Sequence, residues 1–467
     1  MSPAGVYRVE HLHQPSGWLS PGYLEVDADG YIATVDQDPP HGGSVTHLAG
    51  LGVPSASNLH SHAFQRALVG LSECASIADA EDTFWTWRKV MYDFVARIDP
   101  AQYQAIAAMV YTDMLKHGIT AVGEFHYVHH DTSGCPYADR AEMSKRLVAA
   151  AEQTGLAITL LPVFYASGGI GRPPQESQKR FVHAEPDRFL ELVAGLSALS
   201  DGRPDLVIGV ALHSLRAVPT DGLAAVVAGV RDIASDTPIH IHVAEQPREV
   251  EECLASLGAR PIRWLLDNAN VGADWTLIHA THCDENECRD MAASGAVVGL
   301  CPATEASLGD GIFPLVAYQG AGGHWGIGTD SNYTTSVAEE LRVLEYGQRL
   351  IHGRRNLLTA PGDETTEHTG RRLFDLALAG GTRSLAQPMG ALTPSKRADL
   401  VMLDSESPTL LGHGPRTGLD AWILGGTVNP VRDVMVGGRW VVRDGRHDSE
   451  DIIIAAYKET MADLVAA

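Results

Sequence analysis

The sequence predicts a (β/α)₈ TIM-like barrel that carries a small β-sandwich-like domain formed by its N- and C-terminal segments. Three observations predict it. Near-continuous apolar runs of strand length recur through the middle of the chain and alternate with helical patterns, which is the signature of a parallel sheet covered on its outer face. Eight such runs can be found, the number that closes a barrel. Polar residues gather at the C-terminal ends of these runs, the end where such barrels place their chemistry. A doubly wound open sheet is the competing fold, but no Gly-rich phosphate turn follows the first strand.

Taken in order, residues 1–52 read as short strands broken by Gly and Pro. Examples are Tyr23-Leu24-Glu25-Val26, Tyr31-Ile32-Ala33-Thr34-Val35 and the break Pro39-Pro40-His41-Gly42-Gly43. The segment 393–447 looks similar, with the turn Val436-Gly437-Gly438-Arg439 between two apolar runs. The two ends are expected to pair into one β domain, with a C-terminal helix over 448–467. Residues 53–392 hold the barrel. Its opening strand leads into His60-Ser61-His62, and the runs that follow start at Thr120, Ala157, Leu206, Pro238, Trp275, Ala296 and His324. Segments 102–117 and 338–352 read as helices between them. The aromatic segment 72–97, with Trp85, Trp87, Arg88, Met91 and Tyr92, reads as a loop and helix serving packing or a subunit contact. The polar segment 353–370 reads as an exposed loop.

At 467 residues, 45% hydrophobic and 20% charged, the chain is composed like a soluble globular protein. Its 35 basic against 58 acidic residues give a net charge of −23, which argues against nucleic-acid or anionic-membrane partners. A small anionic substrate stays compatible, because one or two arginines can hold a carboxylate locally. The six cysteines form no CxxC pair, pointing to a reducing compartment. With neither a signal-like N-terminus nor an apolar stretch near the ~20 residues that span a bilayer, a cytoplasmic location is expected.

The chemistry starts from His60 and His62. Side chains alternate along a strand, so these two imidazoles point the same way. Alone the pair also fits two ordinary surface histidines. The chain then supplies His242 on the fifth strand and Asp330 at the end of the eighth. Three imidazoles and a carboxylate suit Zn²⁺ or another first-row metal, with a position left for water whose pKa the metal lowers toward ~7. Fe²⁺ or Co²⁺ would also be accepted. Glu245, three residues after His242, is placed to take a proton from that water and pass it to a leaving amine. His279, ending the sixth strand, is placed to hold the nucleophile or steady an oxyanion, and Asp330 completes the catalytic set.

In order and location, His60-Ser61-His62, His242-x-x-Glu245, His279 and Asp330 resemble the deaminase branch of the amidohydrolase superfamily over almost the whole chain. That resemblance implies a hydrolase and, with no fourth-strand lysine to bridge two ions, one metal per chain. A narrower set resembles the formimidoylglutamate deiminase family: Asn58-Leu59-His60-Ser61-His62-Ala63-Phe64-Gln65-Arg66-Ala67, Phe84-Trp85-Thr86-Trp87-Arg88, Glu124-Phe125-His126-Tyr127-Val128-His129-His130, His213-Ser214-Leu215-Arg216 and Gly309-Asp310-Gly311-Ile312-Phe313-Pro314. It implies zinc-dependent hydrolysis of N-formimino-L-glutamate to N-formyl-L-glutamate and ammonia, a step of histidine degradation. It also implies substrate contacts from Gln65, Tyr127 and His213. A substrate with two carboxylates needs cations, and Arg88 and Arg216 are the candidates. Barrels of this branch are often dimers, so a homodimer is expected, with the helix around Trp85 as one candidate contact.

Other readings stay open at this point. The same site would serve another amidine, N-formimino-L-aspartate or a purine or pterin ring, and a non-catalytic scaffold is a third class. His240 reads as a packed or supporting histidine, while His126, His129, His130 and His282, with Cys283 and Cys301, need no special role. Two departures from the family pattern, Asn332 where His is expected and Ser307 where Asn is expected, are placed near the pocket and bear on specificity.

Overall fold

In a computed structural model of the chain, the described residues are 4–40, 44–74, 82–363 and 365–466. The predicted break at 41–43 and positions 75–81 of the aromatic segment lie outside them. The barrel strands are β1 (Ala56–Ser61), β2 (Ile119–His126), β3 (Ala157–Phe164), β4 (Val210–Ser214), β5 (Ile239–Val243), β6 (Trp275–His279), β7 (Val297–Leu300) and β8 (His324–Ile327). Each pairs in parallel with the next. The barrel closes where β1 meets the residues after β8: the Asp330 N–H donates to the His60 carbonyl at 2.9 Å, and the His62 N–H to the Asp330 carbonyl at 2.9 Å. Asn58 fastens the same seam, its Oδ1 accepting from the Thr329 N–H at 3.0 Å and its Nδ2 donating to Thr329 Oγ1 at 2.6 Å.

Helices named below are α1 (Phe84–Val95), α2 (Pro100–Lys116), α3 (Pro247–Leu257), α4 (Pro302–Leu308), α5 (Val337–His352), α6 (Thr369–Leu385) and α7 (Glu450–Ala466). Local chemistry sets their ends. Asp99 caps α2 in a reciprocal box with Gln102, and Pro100 occupies its first turn. Ser336 caps α5, and Gly353, with φ 61°, ends it in the left-handed conformation. None of the described helices is long and apolar enough to cross a membrane.

Two expected strands are divided. The run from Pro54 to His62 breaks at Ser55: Val45–Pro54 belongs to the small sheet, and Ala56–Ser61 alone enters the barrel. The run 206–212 breaks at Gly209, where Leu206–Ile208 pairs only with β3 before β4 begins. A Cβ at Gly209 would meet a Leu161 methyl at 2.6 Å and the Pro238 carbonyl at 3.0 Å, so the chain narrows to pass there.

The floor of the barrel is plugged by Leu59, Ile278, Val297, Leu385 and Met389. Leu385 arrives from α6, which lies so close to β8 that a Cβ on Gly380 would strike the Trp325 carbonyl. Below the floor, the N- and C-terminal strands share one sheet, because Leu400–Leu403 runs antiparallel to Val45–Pro54. A buried ion pair ties this sheet to the barrel. Arg397 Nη2 donates to Asp399 Oδ2 at 2.6 Å, and Asp399 also accepts from Thr120 Oγ1 at 2.9 Å and the Gly437 N–H at 2.9 Å. Both members are under 5% exposed. Asp399→Ala strands a buried guanidinium, so chemical denaturation is expected to show a loss of about 3–5 kcal/mol. A loss under about 1 kcal/mol would mean that water reaches the arginine.

Candidate metal-centred active site

The strand ends deliver their side chains to one point at the C-terminal mouth. His60 and His62 leave β1 on the same face, with ring centroids 4.7 Å apart. His242 from β5 approaches from across the barrel, and its Nε2 lies 3.1 Å from His60 Nε2. Asp330 closes the group: its Oδ1 is 3.6 Å from His60 Nε2 and 3.4 Å from His62 Nε2, and its Oδ2 is 3.7 Å from His279 Nε2. All of these side chains are buried. Backbone outside the ordinary regions recurs at the strand ends, with φ 52° at Ala244, 67° at His279, 50° at Ala280 and 45° at Asp330. Strain concentrated around a cluster of polar side chains is the pattern of a functional site.

The donor set fits a first-row metal. His62 Nδ1 donates to the Phe125 carbonyl at 2.9 Å and His242 Nδ1 to the His213 carbonyl at 2.8 Å, which leaves the Nε2 lone pairs facing inward. Burial pushes the His60 imidazole down to about 3, and burial with the neighbouring histidines pushes His242 well below its ordinary value. These rings are therefore neutral, the form that ligates. Burial raises the Asp330 carboxyl, but the His60 hydrogen bond and the surrounding imidazoles outweigh it and hold the group ionised. The groupings His60–His62–Asp330 and His60–His242–His279 each bring their ligand atoms within 4.8 Å of one another. Cys301 falls in a third such grouping with His279 and Asp330, but burial holds its thiol protonated and makes it a poor ligand.

Glu245 and His279 flank this centre, with Glu245 Oε1 3.7 Å from His279 Nε2. Burial pushes the Glu245 carboxyl up, opposed by His279 and Arg216. Arg216 donates to Glu245 Oε2 at 3.2 Å and lies 3.6 Å from Glu249, so its charge is already partly compensated. Arg88 has no ion-pair partner among the described residues and stacks over Trp85 at 4.6 Å.

The cleft above the centre is narrow, with about 50 Å³ of free space, less than the ~300–1,000 Å³ usual for small-molecule sites. Gln65, Arg88, Tyr127, His213 and Arg216 all line it, together with His62, His242, Glu245 and Asp330. Gln65 Nε2 donates to the Tyr127 hydroxyl at 3.0 Å, and Ser331 Oγ donates to Gln65 Oε1 at 2.6 Å, so these polar groups are fixed before any ligand arrives.

Several expectations change. The aromatic helix is no mere packing element: Phe84, Trp87, Met91 and Tyr92 of α1 form a wall of the cleft. The two departures from the family pattern do not line it. Ser307 is exposed, and the Asn332 side chain turns back, donating to the Asp330 carbonyl at 2.9 Å and the His62 carbonyl at 3.2 Å. Asn332 thus braces two site residues from behind. His126, His129 and His130 point away, bonded to the Tyr103 hydroxyl and to the Val163 and Val182 carbonyls, and His240 bonds the Ser384 carbonyl in the floor.

Three residues of the site escape a reading of the sequence. Tyr165 and Phe181 complete the apolar wall, and Glu305 Oε1 lies 3.2 Å from His279 Nδ1. The one sequence signal for Glu305 is an acid in the first turn after the seventh strand, two residues before Ser307.

Comparison with known proteins places this geometry. Residues 52–441 match the amidohydrolase family. The formimidoylglutamate deiminase of Pseudomonas aeruginosa is 47% identical over 452 residues, covering 97% of both chains. An 8-oxoguanine deaminase of the same organism is 25% identical over 431 residues, covering 89% of this chain and 87% of its own. Among solved structures, an amidohydrolase from Brucella melitensis superposes with a TM-score of 0.91 at 42% identity, covering 99% of this chain and 100% of that one. An adenosine deaminase from Xanthomonas campestris with bound zinc, 19% identical with a TM-score of 0.82 over the full length of both chains, shares the fold.

Proposed function

The chain belongs to the amidohydrolase family, and from that premise we propose that it hydrolyses N-formimino-L-glutamate to N-formyl-L-glutamate and ammonia, with one zinc ion held by His60, His62, His242 and Asp330. One observation carries the substrate assignment: Arg88 and Arg216 face the same cleft as the imidazole and carboxylate cluster. A flexible diacid with an amidine at one end matches cations on the wall and a hydrolytic centre at the floor. The 47% identity to a deiminase named for this substrate supports the same reading.

When bound, the zinc ion supplies Lewis acidity, which makes hydroxide available from water near neutral pH. The chain does the rest. Arg88, free of any ion pair among the described residues, grips one carboxylate through paired hydrogen bonds. Arg216 offers the fork left beyond Glu245 and Glu249 to the other. Gln65, Tyr127 and His213 set the depth of the amidine. Glu245 takes one proton from the attacking water and delivers it to the departing nitrogen, then relays the second from the new hydroxyl, so the C–N bond breaks to release ammonia and the carbon becomes a formyl group. His279, 3.7 Å from Glu245 and from Asp330, steadies the oxygen as it adds. The same reading takes the enzyme as a cytoplasmic homodimer of histidine degradation, with Fe²⁺ or Co²⁺ able to replace zinc.

Initial rates of ammonia release test the substrate. N-formimino-L-glutamate is expected to outrun N-formimino-L-aspartate and aminopurines, and a faster aminopurine would overturn the diacid assignment. Arg88→Met is expected to raise KM for the diacid about 10–100-fold with little change in kcat, since it removes a charge-assisted contact remote from the reacting carbon. Unchanged KM would take Arg88 out of the substrate site.

A further inference from the structure

We propose that Glu305 is the positioning residue for His279, fixing which imidazole nitrogen faces the reacting atoms; the assignment rests on the deiminase reading above. His279 ends β6 with φ 67°, and Ala280 follows at φ 50°. The pleat is broken at that point, so strand geometry does not aim the ring. Something else must hold it.

His62 and His242 are held by backbone carbonyls at Nδ1. Among the described residues His279 has no such carbonyl. Its Nδ1 instead meets Glu305 Oε1 at 3.2 Å, and that same oxygen accepts the Cys301 N–H at 2.9 Å. The second bond pins the carboxylate to the start of α4, so it cannot swing to another partner. Both side chains are buried, Glu305 at 5% and His279 at 0% exposure. A carboxylate oxygen only accepts, so His279 Nδ1 carries the hydrogen and Nε2 is turned toward Glu245 Oε1 and Asp330 Oδ2, each at 3.7 Å. Among the described residues Nε2 makes no hydrogen bond, which leaves it for a ligand. Without Glu305, Nδ1–H is buried with no acceptor. The hydrogen then moves to Nε2, which Glu245 and Asp330 face, and the cleft meets an N–H in place of a free lone pair. A carboxylate that selects the tautomer and orientation of a catalytic histidine is a recurring device in hydrolysis.

The test compares Glu305→Ala, Glu305→Gln and the wild type, all as zinc-loaded full chains. Glu305→Ala is expected to lower kcat about 100-fold, with KM changed less than about threefold and zinc content unaltered. Glu305→Gln keeps an acceptor oxygen and is expected to recover most of that loss. Nitrogen NMR of imidazole-labelled protein without substrate reads the tautomer directly: Nδ1–H at His279 in the wild type and Glu305→Gln, lost in Glu305→Ala. If Glu305→Ala does not fold, Glu305→Asp, one methylene shorter, takes its place with the same readouts. Wild-type kcat in the alanine or aspartate variant, or a retained Nδ1–H tautomer there, would overturn the proposal. Failure of the deiminase reading looks different, because the wild type itself would then release no ammonia while the NMR result stands.

Discussion

Glu245→Gln is expected to lower kcat by about 10²–10⁴-fold, the usual worth of a positioned general acid–base group. The amide keeps the shape of the side chain and can still accept from Arg216 Nη2, now 3.2 Å from Glu245 Oε2. It cannot take a proton from water and return it to nitrogen. Zinc content and thermal midpoint should therefore stay near wild type, with the loss confined to kcat. Glu245→Ala is a poorer probe because it strands Arg216, which is 6% exposed, beside Glu249 alone. Single-turnover ammonia release from metal-replete protein measures the effect. A glutamine variant within about tenfold of wild type would assign the proton transfer to another group, with His279 the nearest candidate.

His242→Ala should be as damaging through a different cause. It removes the one ligand that reaches the centre from the opposite wall and leaves His60, His62 and Asp330 on the β1–β8 seam. Elemental analysis is expected to show less than about a tenth of an equivalent of zinc, with activity down on the order of 10³-fold or more for several kcal/mol of lost Lewis-acid stabilisation. The fold should survive, because the seam that closes the barrel runs through backbone bonds of His60, His62 and Asp330 that the substitution does not touch. Chelation of the wild type should reproduce the loss, and added zinc should reverse it. A variant that kept a full equivalent of zinc would move His242 out of the ligand set and leave His279 as the remaining imidazole beside His60.

Much of this architecture is legible in the residues themselves. Strands such as Ala157–Phe164 and Val297–Leu300 are apolar and buried along their whole length, so they read as apolar blocks without help from tertiary context. His60, His62, His242, Glu245, His279 and Asp330 are legible because strand alternation and strand ends fix where their side chains go. Contact between elements is what stays hidden. The α1 wall is invisible in sequence, because an amphipathic aromatic helix over a cleft reads like one over a core. Glu305 escapes because its partner, His279, is 26 residues away and the bond depends on a break in strand geometry. Asn332 misleads in the opposite direction: adjacency to Ser331, which lines the cleft, suggests a place near the pocket, yet φ 58° turns its side chain to the barrel seam.

The most direct measurement titrates zinc into metal-free protein in the presence of N-formimino-L-glutamate and follows ammonia and N-formyl-L-glutamate together. Both products are expected to appear in equal amounts, with a rate of formation that rises linearly to a plateau at one zinc per chain. No ammonia at one equivalent, or a plateau only at two, would contradict a single-zinc deiminase.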